Sequence, residues 1–193
     1  MGLLALCLSA NPAVADRLSL DEMSAYLNDL TKAKAEFTQI NVDGTISTGE
    51  VSINRPGRVR FDYDAPNQSL VLAGQGQVVV FDGKSNVSPE KVPLSRTPLG
   101  LILARNVYLA QADMVVGHRS DDTTTMVVAQ DPKHPEYGNI ELVFTSDPVQ
   151  LRQWVIHDGS GQSTTVILGA LATDVSFSAR VFDLDAELNK RGF

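Results

Sequence analysis

Along most of the chain hydrophobic and polar residues alternate, and the exceptions are short and sharply placed. The first ordered stretch has the other period. Leu20, Met23, Leu27 and Leu30 recur at helical spacing behind Ser19-Leu20-Asp21-Glu22, a capping-box sequence, and predict an amphipathic helix over 19–34. From Ala35 the period becomes two: "AEFTQINV", "TISTGEVSINR", "RVRFDYD", "QSLVLA", "QVVVFD" and "SNVSP" read as short strands, punctuated by Asp43-Gly44, Pro56-Gly57, Ala65-Pro66, Gly74-Gln75-Gly76 and Asp82-Gly83.

The alternation breaks at "SRTPLGLILARN". Thr97 can cap, Pro98 suits the first helical position, and Leu99, Leu101, Ile102 and Leu103 follow, so a second, very apolar helix is predicted near 98–109. Alternation then resumes in "ADMVVGHR", "TTTMVVAQD", "NIELVFT", "LRQWVIHD", "STTVILGA" and "SARVFDL". The count is about eleven antiparallel strands with two helical interruptions, with no repeat or linker that would mark a second domain. So many short strands imply a mainly β fold, either a barrel or a strongly curved sheet, because a flat sheet of that size would leave long exposed edges. A large sheet wrapped on itself has a hollow to fill, and two apolar helices in an otherwise β chain are natural plugs or lids for it.

One strand divides cleanly: Val59, Phe61 and Tyr63 take one face, while Arg58, Arg60, Asp62 and Asp64 take the other. One residue resists the division. In Val51, Ile53, Arg55 the cation shares a face with two β-branched residues, since side chains two apart point the same way. A buried guanidinium needs acceptors for its five N–H groups, and the last turn of a helix offers unpaired carbonyls where a cation is favoured. Arg55 is therefore a candidate latch on a lid helix, or else a strand-end arginine reaching water beside Pro56.

The sequence has 193 residues, 43% of them hydrophobic, enough for one globular domain with a substantial core, here placed at 16–193. A net charge of -7 and the lack of any basic run interleaved with aromatics argue against nucleic acid as a partner. The first fifteen residues, "MGLLALCLSANPAVA", end in the small-x-small pattern of a secretory signal and are too short an apolar run to span a bilayer. Cys7, the only cysteine, lies in that segment, so the processed chain is expected to have neither disulfide nor thiol chemistry.

Catalytic signals are weak. His118, His134 and His157 sit on separate predicted elements without metal-ligand spacing, "DGSGQS" and "GQGQ" read as turns, and the pairs Asp62/Asp64 and Asp183/Asp185 fall on outward strand positions. No enzyme, cofactor or metal is expected.

The helix leading into "FTQ" at 37–39, then "RPGRVRFDYDAP" and "TPLGLILARN", taken in that order behind a signal sequence, resemble the LolA outer-membrane lipoprotein carriers of Gram-negative bacteria. The resemblance implies an unclosed antiparallel β-barrel of about eleven strands with a helical lid. It also implies a periplasmic monomer that binds the acyl chains of lipoproteins, loads from an inner-membrane Lol ABC transporter and unloads to an outer-membrane acceptor. On that reading Leu20, Met23, Leu27, Phe37, Val51, Ile53, Val59, Phe61, Tyr63, Val79, Phe81, Leu99, Ile102 and Leu103 line the cavity, and Arg55 bonds lid carbonyls in the closed, empty state. This chain has Gly74-Gln75-Gly76 where such carriers usually carry Asp-Gly-Lys, and with only 6% aromatics its lining would be more aliphatic. Two other readings stay open: a periplasmic lipid- or glycolipid-binding or stress-sensing half-barrel, and, more distantly, a lipocalin-like enzyme.

Overall fold

The computed structural model describes residues 17–84, 87–110 and 113–193, so the predicted signal segment at 1–15 lies outside the described residues. Two antiparallel meanders make up the sheet. The first comprises β1 (Lys32–Ile40), β2 (Ile46–Asn54), β3 (Val59–Tyr63), β4 (Leu70–Gly74), β5 (Gln77–Phe81) and β6 (Glu90–Pro93); the second comprises β7 (Val115–Ser120), β8 (Thr124–Gln130), β9 (Asn139–Ser146), β10 (Val149–His157) and β11 (Ser163–Leu168). β1 pairs with β11, Phe37 lying opposite Leu168 and Ile40 opposite Thr165, which fuses the two meanders into one eleven-stranded sheet. Its edges, β6 and β7, do not pair with each other, so the curved sheet stays open as expected.

Helix α1 (Leu20–Asp29) starts where the capping box places it. The Glu22 N–H donates to Ser19 Oγ, and the Ser19 N–H donates to the Glu22 carboxylate at 2.8 Å. The helix ends at Asp29, short of the predicted 34, because period-two patterning begins at Lys32: Ala33, Ala35 and Phe37 turn inward while Lys32 and Glu36 face solvent. Alanine favours helices, but burying one face of a central strand overrides that preference.

The second predicted helix shrinks to a single turn, α2 (Leu99–Ile102). Past it, backbone groups that would continue the helix bond elsewhere. The Leu103 carbonyl accepts from the Gly57 N–H at 2.8 Å, the Ala104 carbonyl accepts from Arg55, and both backbone groups of Val107 bond the Asn28 amide. Each is then unavailable to an i→i−4 ladder.

Two more expectations need correction. Of the strand read in 85–89, residues 85–86 lie outside the described residues, and the ladder forms instead at Glu90–Pro93. The last expected strand, "SARVFDL", is a 3₁₀ turn at Ala179–Phe182 leading into a third helix, α3 (Leu184–Arg191). Asp183 caps α3 by accepting from the Ala186 N–H, and Gly192 ends it in the left-handed region at φ 82.

The sheet therefore has two apolar clusters, one on each face. On the concave side, residues of β1, β2, β3, β8, β9, β10 and β11 meet α1 and the 94–109 segment. On the convex side, Leu70, Leu72, Val79 and Phe81 are sealed by Phe182 and Leu184 of the C-terminal segment.

Candidate functional site

On the concave side the aromatics form an edge-to-face series. Phe37 meets Phe61 at 5.4 Å and Tyr63 at 5.1 Å between ring centroids, and Phe61 meets Trp154 at 6.1 Å. Beside this series lies a cavity of about 530 Å³. Its wall is formed by Phe61, Tyr63, Val71, Val78, Trp154, Ile156 and Val166, its cover by Thr97, Pro98 and Leu99, and charged or polar side chains enter it only as Gln39, Arg96, Glu136, Asp158, Tyr137 and Thr164. The Tyr63 hydroxyl donates to Gln39 Oε1 at 2.7 Å, and burial pushes the phenol pKa up to about 12. It stays protonated throughout the physiological range. A hollow of this size, lined by hydrocarbon with a few placed polar groups, suits the apolar part of a ligand.

The cover is held by a small set of polar contacts. Ser24 and Asn28, one helical turn apart on α1, reach across. The Leu109 N–H donates to Ser24 Oγ at 3.0 Å, the Asn28 amide donates to the Val107 carbonyl, and the Val107 N–H donates back, both at 2.9 Å. At the other end of the segment Arg55 Nη2 donates to the Ala104 carbonyl at 2.6 Å, two residues beyond the end of α2. Gly57, at φ +70, donates its N–H to Leu103 alongside. Arg55 is 9% exposed, its Nε and Nη1 find no protein acceptor among the described residues, and burial lowers its pKa. The guanidinium thus sits where the alternation places it, on the inward face, but with one hydrogen bond instead of several.

The sequence-predicted lining residues separate into three groups. Phe61, Tyr63 and Leu99 border the cavity itself. Leu20, Met23, Leu27, Phe37, Val51, Ile53, Val59, Ile102 and Leu103 belong to the concave cluster that surrounds it and fills the remaining interior. Val79 and Phe81 do neither: they lie on the convex face, opposite Leu72 and Leu70 across the ladder. "QVVVF" is apolar at four consecutive positions, so it carries no phase of its own. Pairing with β4 fixes it and puts Val78 inward. The wall from β10 and β11, together with Ser24 and Asn28, went unpredicted. A serine and an asparagine four apart on an otherwise apolar helix stripe was the available signal for the latter two.

His118 Nε2 lies 2.9 Å from the Leu18 carbonyl oxygen, His134 pairs with Glu136, and His157 bonds Ser163, so the three stay apart. Among the described residues no cluster of His, Cys, Asp and Glu could hold a metal ion, and no helix is long and apolar enough to cross a membrane.

An unclosed antiparallel barrel with an apolar hollow beneath a pinned segment is an architecture suited to holding an apolar ligand. Comparison with known proteins gives the family: residues 28–185 match the family model described as outer membrane lipoprotein carrier protein LolA, and the chain belongs to that family. A relative from Pseudomonas aeruginosa named outer-membrane lipoprotein carrier protein is 25% identical over 190 residues, covering 94% of this chain and 90% of its own length. One of the same name from Azotobacter vinelandii is 25% identical over 188 residues, covering 93% and 89%. Among solved structures, a putative outer membrane lipoprotein-sorting protein domain from Vibrio parahaemolyticus superposes with a TM-score of 0.48 at 8% identity, covering 86% of this chain and 95% of that one.

Proposed function

We propose that this protein ferries acylated lipoproteins across the periplasm, loading from an inner-membrane ABC transporter and unloading to an acceptor at the outer membrane, with the acyl chains housed in the concave cavity. The observation that carries the reading is the cover: an apolar hollow beneath a segment fixed by few bonds, one of them from a buried, under-bonded arginine. Exposing an acyl chain to water costs roughly 0.8 kcal/mol per CH₂, so a chain of about sixteen carbons does not cross an aqueous space unaided. A carrier that offset this cost completely would never release its cargo, so binding must work against something.

The cover supplies that opposing term. Loading displaces Leu99 and its neighbours and separates Arg55 from the Ala104 carbonyl; emptying restores both. Each unpaired donor on buried Arg55 costs about 1–3 kcal/mol, so the closed state is held only weakly, and cargo can open it. Arg55→Leu removes the bond that closure regains. The variant is expected to load lipoprotein normally but to release it severalfold more slowly to acceptor membranes, measured by transfer from the purified loaded carrier. Delivery at the unmodified rate would refute the latch. Depletion in the source cell tests the wider reading: lipoproteins should accumulate at the inner membrane.

A further inference from the structure

Trp154 is the single tryptophan of the sequence, is 1% exposed, and forms part of the cavity wall. It reaches that wall through an irregularity. Leu151 lies opposite Phe144 and Gln153 opposite Val143, so Arg152 is an extra residue in β10. Without that bulge, the phase set by Val149 and Leu151 would carry residues 153 and 155 inward and turn Trp154 to the outer face; with it, Trp154 faces the interior opposite Leu142. Bulges that re-aim a side chain gather beside functional sites.

The indole brings a polar group that the fold does not use. Among the described residues three buried side-chain nitrogen or oxygen atoms have no protein partner: two belong to Arg55, and the third is Trp154 Nε1. Buried tryptophans usually find an acceptor for this N–H, and a phenylalanine would fill the wall without it. Of the polar groups lining the hollow, Tyr63 donates to Gln39 and Gln39 in turn donates to Asn41 at 2.7 Å. Trp154 lines a largely hydrocarbon hollow, and a neutral donor carried by such a wall matches a neutral acceptor. A carbonyl is taken out of water cheaply if it is bonded, whereas a carboxylate or phosphate would need a cation beside it. Around the cavity Glu136 and Asp158 outnumber the one cation, Arg96, and oppose anionic groups; hydrogen bonds hold both carboxyls below their ordinary pKa, so they stay charged.

We infer that Trp154 is a specificity residue whose indole N–H donates to the ester or amide carbonyl linking an acyl chain to its carrier molecule, an inference that rests on the carrier reading above. The test pairs a dipalmitoylglyceryl-cysteine peptide with its dialkyl ether analogue, which keeps the chains and loses the carbonyls, and adds an N-palmitoyl peptide as a probe with an amide carbonyl alone. In the unmodified protein the diester should bind roughly three- to tenfold tighter than the diether, the worth of one neutral hydrogen bond. Trp154→Phe should lose that preference, the ratio of diester to diether affinity falling to near one. Because only one tryptophan is present, its indole N–H resonance can be followed in the unmodified protein, which keeps the test independent of how the variant folds. The resonance should move downfield with the diester or the N-acyl probe and not with the diether. Equal shifts with all three probes, or an ester preference that survives in Trp154→Phe, overturn the assignment. If no probe binds at all, the carrier reading fails and the role of Trp154 falls with it.

Discussion

Arg55 and Arg60 flank the same turn between β2 and β3 yet serve opposite faces of the sheet in opposite ways. Arg55, on the concave side, donates once to a carbonyl, meets no carboxylate, and is pulled down in pKa by burial. Arg60, on the convex side, also pays for burial but is surrounded by anions: Nε and Nη2 bond the two oxygens of Asp62 at 2.7 and 2.8 Å, and Nη1 bonds Glu187 at 3.2 Å and the Val181 carbonyl at 3.3 Å. The net effect of those partners is to raise its pKa. The clusters around them differ likewise. The convex one, centred on Leu70, Leu72, Val79 and Phe81, is closed by a helix whose Arg191 also lies over the Phe81 ring at 4.9 Å. The concave one leaves a hollow beneath a loosely bonded cover. The buried side-chain donors left without partners occur on the concave side alone among the described residues.

The sharpest way to break the comparison is to remove each cation. Arg60→Leu leaves Glu187, whose side chain is 8% exposed, with only Arg191 and Lys190 to balance it, and should cost about 2–4 kcal/mol in denaturant unfolding. Arg55→Leu removes one bond but also two unpaired buried donors, and should shift stability by less than about 1 kcal/mol in either direction. Similar costs for the two would show that the arginines are equivalent structural elements.

How far the sequence already drew this distinction can be argued residue by residue. The mainly β architecture, the start of α1 and the inward face of Arg55 were legible because each rests on a local period or cap, whereas the openness of the sheet was implied only by the family resemblance. The convex cluster was not, although its signal was present: Asp183 as a cap, Asp185 and Glu187 in the first turn, Lys190 and Arg191 in the last, and Gly192 after them describe a complete helix. "SARVFDL" just before it mimics a strand and drew the reading that way. With α3 unrecognised, Arg60 read only as an outward-facing cation without an assigned partner, and Val79 and Phe81 had nothing on the outer face to pack against. Trp154 was hidden for a different reason. Its orientation depends on a bulge, and register irregularities leave no mark in a hydrophobic pattern.

Acid should weaken the ion pairs that hold α3 on the convex side. Burial alone would raise the Glu187 pKa, but hydrogen bonds from Arg191 and Arg60 and the positive charges of Arg60 and Lys190 bring it below the ordinary glutamate value. A folded pKa below the unfolded one means the stabilisation is complete above the unfolded value, near 4.3, and is lost as pH falls through the lower folded value. Unfolding of the wild type and of Glu187→Gln, followed between pH 7 and pH 3, should therefore converge at the acid end. A gap of constant size at every pH would remove Glu187 from the account. Arg55 faces no carboxylate within bonding distance and contributes no such dependence.

The smallest effect isolates packing from charge, and Val78 and Val79 supply it. They are consecutive, identical in type, and both buried in β5, at 7% and 0% exposure, but Val78 borders the cavity and Val79 the sealed cluster. Valine-to-alanine substitution removes the same two methyl groups and changes strand preference equally at both sites, so the transfer and propensity terms cancel in the difference. What remains is the cost of the space left behind. At Val79 a new void opens among Leu72, Phe81 and Phe182, whose contacts cannot be replaced without moving α3, and the change should cost about 2 kcal/mol. At Val78 the lost volume only enlarges a hollow whose far wall is already the cover, so few contacts vanish and the cost should stay near or below about 1 kcal/mol. Equal losses at the two positions, measured by the same unfolding experiment, would mean that the concave side is as tightly filled as the convex one. The space assigned to cargo would then be too stiff to open for it.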